Sequence, residues 1–437
     1  MITQKEDFMA DNEIVVVDGV RTPFIKSWTL FDKCSAQELG AACVTELLQK
    51  TGIEPKNIDE VIIGCVGQPA NAANVARVIS LMSGIPKDKR AYTVNRNCAS
   101  GFEAVTSGAE KIASGQDEVV IAGGAESMSS APLLFTKEAA GLFMKLQRAR
   151  SIGEKLSAAL HFRPRHFAPQ AALQMALTDP TCGLNMGQTA EVLAKKFAIS
   201  RLKQDEFSLQ SHLRSAASRS ILKEETMTIF TGSNYQNAVS ADNGVRDKQS
   251  MDDLAKLKTI FEKNTGTVTA GNSSQITDGA CTLLLMSGGR ARSMGYEVLG
   301  TIAGYEYAGV EPSEMGLGPV FAIERLLRKK GLSMKDIQLF EINEAFAVQV
   351  LSCLEALSSK AFAQKNFHAQ EAVGEINPDL LNVNGGAIAL GHPVGASGSR
   401  LILTCLKEMK RRRLNRGLVS LCVGGGQGGA ILLERSV

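Results

Sequence analysis

Glu46-Leu47-Leu48-Gln49-Lys50-Thr51-Gly52-Ile53, followed by Lys56-Asn57-Ile58, is echoed by Arg325-Leu326-Leu327-Arg328-Lys329-Lys330-Gly331-Leu332, followed by Lys335-Asp336-Ile337, at an offset of 279 residues (331 − 52). A second echo pairs Val94-Asn95 and Ala99-Ser100-Gly101 with Val383-Asn384 and Ala396-Ser397-Gly398, the later offset being 297 (396 − 99). Each member of the second pair precedes a helical pattern and then an apolar run ending in glycines, 119–124 and 418–424. Helix, glycine, then strand also arises by coincidence in α/β chains. Two matches in the same order at similar offsets favour an internal duplication. Two related halves are then expected to pack about a pseudo-twofold, with matching loops converging on one crevice.

Short apolar runs at 14–17, 61–63, 119–122, 418–422 and 431–433 have strand length. Helical patterns fall at 36–50, 101–113, 187–197, 204–218, 319–330 and 397–411, so strands alternate with helices and the fold class is α/β. Residues 131–275 have no counterpart in the second half. The expected organisation is an N-terminal half of 1–130 with 276–300, an inserted loop domain at 131–275, and a C-terminal half at 301–437.

The chain has 437 residues, 44% of them apolar, which at roughly 100–200 residues per domain allows two or three domains with real cores and excludes general disorder. Lys and Arg number 48 against 45 Asp and Glu, a net +3 with only 5% aromatic residues, which argues against a nucleic-acid binder. No stretch approaches the ~18 consecutive apolar residues of a membrane-spanning helix. Residues 1–12 are polar and mildly acidic, so no signal or transit peptide and a soluble protein are expected. The nine cysteines are scattered without a Cys-x-x-Cys pair, which favours reduced thiols in a cytosol-like compartment. Of five histidines only His161 and His166 lie close together, so no metal site is expected.

Charge is uneven along the chain. Residues 131–168 hold seven Lys or Arg against two Glu, a net +5, interleaved with Leu142, Phe143, Leu146, Ile152, Leu156, Leu160 and Phe162. Such a basic amphipathic segment suits a solvated helix face over a small core, or a surface for anionic lipid, a partner subunit or a phosphate-rich substrate.

Three motifs carry chemistry. In Val94-Asn95-Arg96-Asn97-Cys98-Ala99-Ser100-Gly101-Phe102, a β-like run turns into a helix, which puts Cys98 at a helix N-terminus with small neighbours. Unpaired N–H groups there favour a thiolate, so a lowered pKa and a nucleophilic role are expected. In Gly391-His392-Pro393, His392 occupies the equivalent end of the repeat, suiting it to act as a base or as an oxyanion donor. In Cys422-Val423-Gly424-Gly425-Gly426 a strand enters a glycine turn, but no Lys follows and a strand comes next, which excludes phosphate-loop and dinucleotide readings. Cys422 is then either a second thiol able to move a proton or a buried strand-end thiol. Two cysteines and a histidine beside an oxyanion pocket suit carbon–carbon chemistry on a thioester.

Asn97-Cys98-Ala99-Ser100-Gly101, Gly124-Ala125-Glu126-Ser127-Met128-Ser129, Asn343-Glu344-Ala345-Phe346-Ala347, Gly391-His392-Pro393 and Cys422-Val423-Gly424-Gly425-Gly426, in this order, resemble the thiolase family over residues 14–434. The long basic insertion, with Ala149-Arg150-Ser151-Ile152-Gly153 and Phe162-Arg163, resembles the β subunits of fatty-acid-oxidation complexes and bacterial 3-ketoacyl-CoA thiolases. The resemblance implies duplicated halves in a layered αβαβα core. It implies cleavage of 3-ketoacyl-CoA by CoA through an acyl-Cys98 intermediate, with His392 as base, Cys422 as acid and base, a water-mediated oxyanion site at Asn343, and backbone donors at Cys98 and Gly424. It places Arg246 and Ser274 near CoA and Met186 along the acyl tunnel. CoA is a substrate, and no permanently bound cofactor is expected.

Two positions depart from the short-chain pattern. Asn185 stands where His is usual before Met-Gly, and Asp253 where a CoA-contacting Ser is frequent. The resemblance further implies a homodimer or tetramer. The scattered cysteines favour a cytoplasmic location, and the basic segment supports docking of 131–168 on a membrane surface or on a partner subunit carrying the preceding oxidation steps. Acetoacetyl-CoA formation in the condensing direction, a ketoacyl-synthase-like condensing enzyme and a non-catalytic lipid-binding or scaffold subunit are the competing readings. Cys422 speaks against the synthase, which lacks a second cysteine.

Overall fold

The computed structural model describes residues 13–232 and 234–435; the acidic 1–12 segment lies outside them. Nine strands form the path of one mixed sheet: β1 (Ile14–Arg21), β2 (Glu60–Gly64), β3 (Arg90–Val94), β4 (Val119–Glu126), β5 (Thr277–Ser287), β6 (Gly300–Gly309), β7 (Leu339–Ile342), β8 (Arg416–Val423) and β9 (Gln427–Glu434). Their order is β7-β8-β9-β6-β1-β5-β4-β2-β3, and the short strand Ile25–Lys26 attaches to β5.

The topology repeats. β6, β7, β8 and β9 take the places of β1, β2, β4 and β5, while the place of β3 is reduced to a single parallel bridge, Phe340 to Leu381. Pairing senses repeat as well: β2–β4 and β7–β8 are parallel, and β4–β5, β1–β5, β8–β9 and β6–β9 are antiparallel. The halves meet where β1 and β6 pair through Val15–Thr301 and Val16–Gly300.

The helices used below are α1 (Ala36–Thr51), α2 (Ser100–Ala113), α3 (Lys137–Arg148), α4 (Ile152–Leu160), α5 (Met186–Lys196), α6 (Arg201–Ala217), α7 (Gly318–Lys330), α8 (Ala347–Ser358) and α9 (Ser397–Arg412). The first sequence echo now has a cause. α1 ends at Gly52 with φ 68° and α7 ends at Gly331 with φ 66°, both left-handed caps that glycine adopts without a Cβ clash. Strand alternation assigns the layers. Val61, Ile63, Val119 and Ile121 pack with α1, whereas Ile62, Val120 and Ala122 pack with α2 and α9. Val419, Leu421, Ile431 and Leu433 of the second half face the same pair, and Leu418 and Leu432 face α7 and α8. α2 and α9 therefore form the central layer of an αβαβα stack, and α9 is buried from Ser397 through Leu406.

Close backbone contact joins that central pair. A Cβ at Gly398 would sit 2.5 Å from the Phe102 nitrogen, and one at Gly101 would sit 2.9 Å from the Gly395 carbonyl oxygen. The inserted segment leaves the sheet after β4 and returns at β5. The equivalent connection between β8 and β9 is only the turn 424–426. Among the described residues no helix is long and apolar enough to cross a membrane.

Candidate active site

Cys98 lies one residue before the cap of α2, in a turn closed by Ala99 N–H to Arg96 O (2.9 Å) and Ser100 N–H to Asn97 O (2.9 Å). The thiol is half-buried. Burial pushes its pKa above the ordinary value, opposed by the backbone N–H groups of Gly424 and of Cys98 itself, and the buried Glu126 carboxylate adds to the rise. This corrects the expectation of a lowered pKa. The helix start and the amides do favour the thiolate, but desolvation outweighs them, so Cys98 rests as a thiol and needs a base.

His392, the residue expected to serve as base, is placed by the second half. His392 is 6% exposed and its backbone N–H donates to Gln275 O (3.1 Å). Its Nδ1 lies 2.6 Å from Ser397 Oγ, and that hydroxyl donates to Pro393 O at 3.1 Å. With the hydroxyl proton so used, Nδ1–H donates to Ser397 and the lone pair sits on Nε2. Asn343 Nδ2, a donor, faces Nε2 at 3.5 Å, consistent with that tautomer. Burial, then the charge of Arg400, lowers the His392 pKa to about 3, so the imidazole is neutral near pH 7.

Cys422, at the end of β8, is 1% exposed, and its pKa is raised well above the ordinary value by burial and then by the neighbouring Cys98 sulfur. The adjacent turn carries Gly425 at φ 87° and Gly426 at φ 78°. A Cβ on Gly424 would stand 3.2 Å from Met186 Sδ, which brings Met186, first residue of α5, beside the crevice. Asn343 is fully buried, its N–H donates to Ser420 O (2.9 Å), and its Oδ1 has no protein partner among the described residues. That oxygen is free to accept from a water or a substrate donor.

Arg246 and Ser274 sit on adjoining loops. Arg246 is exposed, with its N–H on His212 Nδ1 (3.2 Å), while Ser274 is half-buried and donates its N–H to Ala345 O (2.9 Å). Gln275 Nε2 reaches both Gly244 O (3.1 Å) and Ile388 O (3.2 Å), so these loops flank the segment that leads to His392. Of the two departures from the short-chain pattern, Asn185 caps α5 and Asp253 lies in the first turn of the short helix capped by Ser250. Asn185 and Gln188 exchange 2.9 Å bonds at the start of α5, and Asp253 binds Ser250 and Lys256 at the surface.

Sequence reasoning singled out neither Glu126 nor the Glu344–Asn382 pair, although Glu126 and Glu344 lie inside quoted motifs. Glu126 accepts from the N–H groups of Val66 (3.0 Å), Gly67 (2.8 Å) and Gly395 (3.0 Å), tying the turn after His392 to the first half. Glu344 accepts from Ser211 Oγ (2.6 Å), Asn382 Nδ2 (2.9 Å) and Ile388 N–H (3.2 Å), bracing the Asn343 strand end against the residues before His392. A carboxylate that accepts several N–H bonds was the available signal, but its partners are distant in sequence.

Residues 14–289 match the family model described as thiolase, N-terminal domain, and residues 296–435 that of thiolase, C-terminal domain. A 3-ketoacyl-CoA thiolase of Pseudoalteromonas translucida is 39% identical over 427 residues, covering 97% of each chain. Among solved structures, an acetyl-CoA acetyltransferase of Bacillus anthracis has a TM-score of 0.84 at 34% identity, over 97% of this chain and 98% of that one. A human mitochondrial 3-ketoacyl-CoA thiolase in complex with CoA has a TM-score of 0.83 at 34% identity, over 99% and 100%.

Proposed function

The chain belongs to the thiolase family, a family of acyltransferases, and from that premise we propose that it cleaves 3-ketoacyl-CoA with CoA to give acetyl-CoA and a shortened acyl-CoA. The observation that carries this reading is the meeting of Cys98 and Cys422, from opposite halves, beside one turn, with His392 at the matching end of α9. His392 Nε2 takes the Cys98 proton as sulfur attacks the 3-keto carbon. The tetrahedral adduct collapses, the carbon–carbon bond breaks, the shortened acyl group stays on Cys98, and the acetyl-CoA enolate leaves. Cys422 gives its proton to the enolate carbon, then takes the proton of incoming CoA, whose thiolate attacks the acyl carbon; the Cys98 thiolate leaves and recovers its proton from His392.

Proton transfer also changes what His392 offers. Neutral, it has a lone pair on Nε2. Once protonated, it presents N–H to the enolate oxygen beside a water held by Asn343. The Cys98 and Gly424 N–H groups serve the thioester oxyanion, and one such donor is worth about 3–4 kcal/mol. Arg246 and Ser274 contact CoA, and Met186 lines the acyl tunnel. Trapping with a labelled acyl-CoA followed by mass spectrometry tests the scheme: label on the Cys98 peptide supports it, and label elsewhere refutes it. Rates against 3-ketoacyl-CoAs of increasing length test the degradative role. Strict preference for four carbons would instead support the acetyl-CoA acetyltransferase reading.

The chain acts as a homodimer or tetramer in a reducing, cytoplasmic compartment, supported by family membership and nine free thiols; light scattering and cell fractionation test this. Its α3–α4 hairpin docks on an anionic lipid surface. Ile152, Leu156 and Leu160, spaced along one face of α4, are 86%, 62% and 69% exposed. The Arg165 side chain pairs with Glu138, whereas the side chains of Lys137, Lys145, Arg148, Arg150, Lys155 and Arg163 make no ion pair among the described residues. Apolar side chains rimmed by unpaired bases match an anionic interface. Binding to anionic but not neutral vesicles, lost in Leu156→Asp, supports it. Co-purification of an oxidation enzyme without vesicle binding assigns the face to a protein partner instead.

A further inference from the structure

Asn97 is one of the few non-glycine residues with positive φ, at 45°. Asparagine tolerates that region better than most residues, so backbone shape alone would explain its presence. Its side chain, however, does more than permit a turn. Nδ2 donates to Gly424 O at 2.7 Å, across 327 positions of sequence and from one half of the molecule to the other.

Both ends of this link are informative. On the near side the Asn97 backbone is fixed by its own N–H on Asn95 Oδ1 (2.9 Å) and by its carbonyl, which accepts from Ser100 N–H (2.9 Å) and Ser100 Oγ (2.7 Å). Cys98 N–H is the next amide along. On the far side, three consecutive glycines hold the turn, and glycine gives the backbone no side-chain packing to define its place. Its two ends are set by the Val423–Gln427 pair of the β8–β9 hairpin, and Gly426 is held against Val310 and Pro312, with Val310 N–H on Gly426 O (2.7 Å). At Gly424 itself the described contacts are the Asn97 amide and the Met186 thioether.

We infer that Asn97 is a positioning residue that sets the separation of the Cys98 and Gly424 backbone N–H groups, and so tunes the oxyanion site for the acyl-Cys98 thioester. This rests on the assignment of those two amides as its donors. The side chain touches no reacting atom. It acts by joining the turn before Cys98 to the Gly424 end of the glycine turn, where no side chain of the turn itself fixes the peptide.

The test compares Asn97→Asp and Asn97→Gly with the full-length protein. Asp has nearly the same shape and tolerance of positive φ, but its carboxylate would oppose the Gly424 carbonyl as acceptor against acceptor. Gly removes any backbone strain together with the donor. Both are expected to lower kcat about 10- to 100-fold, less than the ~10²–10³-fold cost of losing an oxyanion donor outright, with KM and melting midpoint unchanged. In the acyl-enzyme formed from carbonyl-13C substrate, the infrared carbonyl band is expected at higher frequency, because its hydrogen bonds are weaker. Wild-type kcat and an unmoved band in either folded variant would overturn the inference, as would failure of both to fold. Cys98→Ala separates the premises: thiolysis retained there refutes the site itself, whereas a dead Cys98→Ala beside a normal Asn97→Asp refutes only the role of Asn97.

Discussion

Replacing Gly398 with Ala adds one carbon at the crossing of α2 and α9. That carbon would lie 2.5 Å from the Phe102 backbone nitrogen, 2.9 Å from Phe102 Cδ1 and 3.1 Å from the Gly101 carbonyl carbon. Two of these three contacts are backbone atoms that no rotamer change can move. Restoring an ordinary separation of about 3.4 Å to the nitrogen requires the helices to part by roughly 0.9 Å. Overpacking of this kind costs ~1–3 kcal/mol, partly offset by the ~1 kcal/mol by which Ala exceeds Gly in a helix. The larger effect is on turnover. Cys98 precedes α2 and His392 precedes α9, so parting the helices at this point separates the proposed nucleophile from the proposed base, and a 1 Å misplacement can cost ~10²-fold in rate. We therefore expect kcat for thiolysis to fall about 10- to 100-fold in Gly398→Ala with only a modest loss in melting midpoint. Gly153→Ala, whose new carbon meets nothing within 4 Å, serves as the control and should match the wild type. Wild-type kcat in folded Gly398→Ala would show that the central layer does not set the Cys98–His392 geometry.

Ser397→Ala removes the acceptor of His392 Nδ1–H, and kcat is expected to fall about tenfold or more with KM retained, since general-base catalysis typically contributes 10²–10⁴-fold; an unchanged kcat refutes the tautomer assignment. Because burial raises the Cys98 pKa, the thiolate fraction at pH 7 is below that of a free cysteine, so alkylation of Cys98 should accelerate as pH rises above 9; a rate plateau below pH 7 contradicts this. Cys422→Ala should still form acyl-Cys98 from a reactive acyl donor but fail in enolate protonation, seen as acylation without steady-state thiolysis; full thiolysis rules out its role. Arg21 is wholly buried between Glu225 (2.7 Å) and Asp242 (2.7 Å), and Arg21→Met leaves both carboxylates unpaired, so unfolding by urea should show a loss of about 3–5 kcal/mol; no loss would mean the carboxylates find other partners.

The doubled architecture was legible because its markers are local. Gly52 and Gly331 cap equivalent helices, and such caps demand a residue type at a fixed place. The shrinkage of the third strand of the second half to a Phe340–Leu381 bridge was not legible, since one bridge leaves no periodic pattern. Cys98, His392 and Cys422 stood out because their loops carry unusual residue types. Glu126 and Glu344 did not, because what marks them is a set of amide partners up to 269 positions away. In the 131–168 segment, amphipathicity correctly signalled helices but not which apolar residues are covered. Phe143 and Phe162 lie 4.9 Å apart within an aromatic cluster that also takes in Phe135 and Phe167, while Ile152, Leu156 and Leu160 face outward.

The insertion leaves from Glu126 and re-enters beside it, for Glu126 and Gly279 are registered neighbours in β4 and β5. A segment whose two ends are adjacent can be lengthened, shortened or exchanged without altering the scaffold that carries it. One copy of the hairpin thus has room to carry a large added surface, while the other, closed by three glycines, keeps its two strands in direct register.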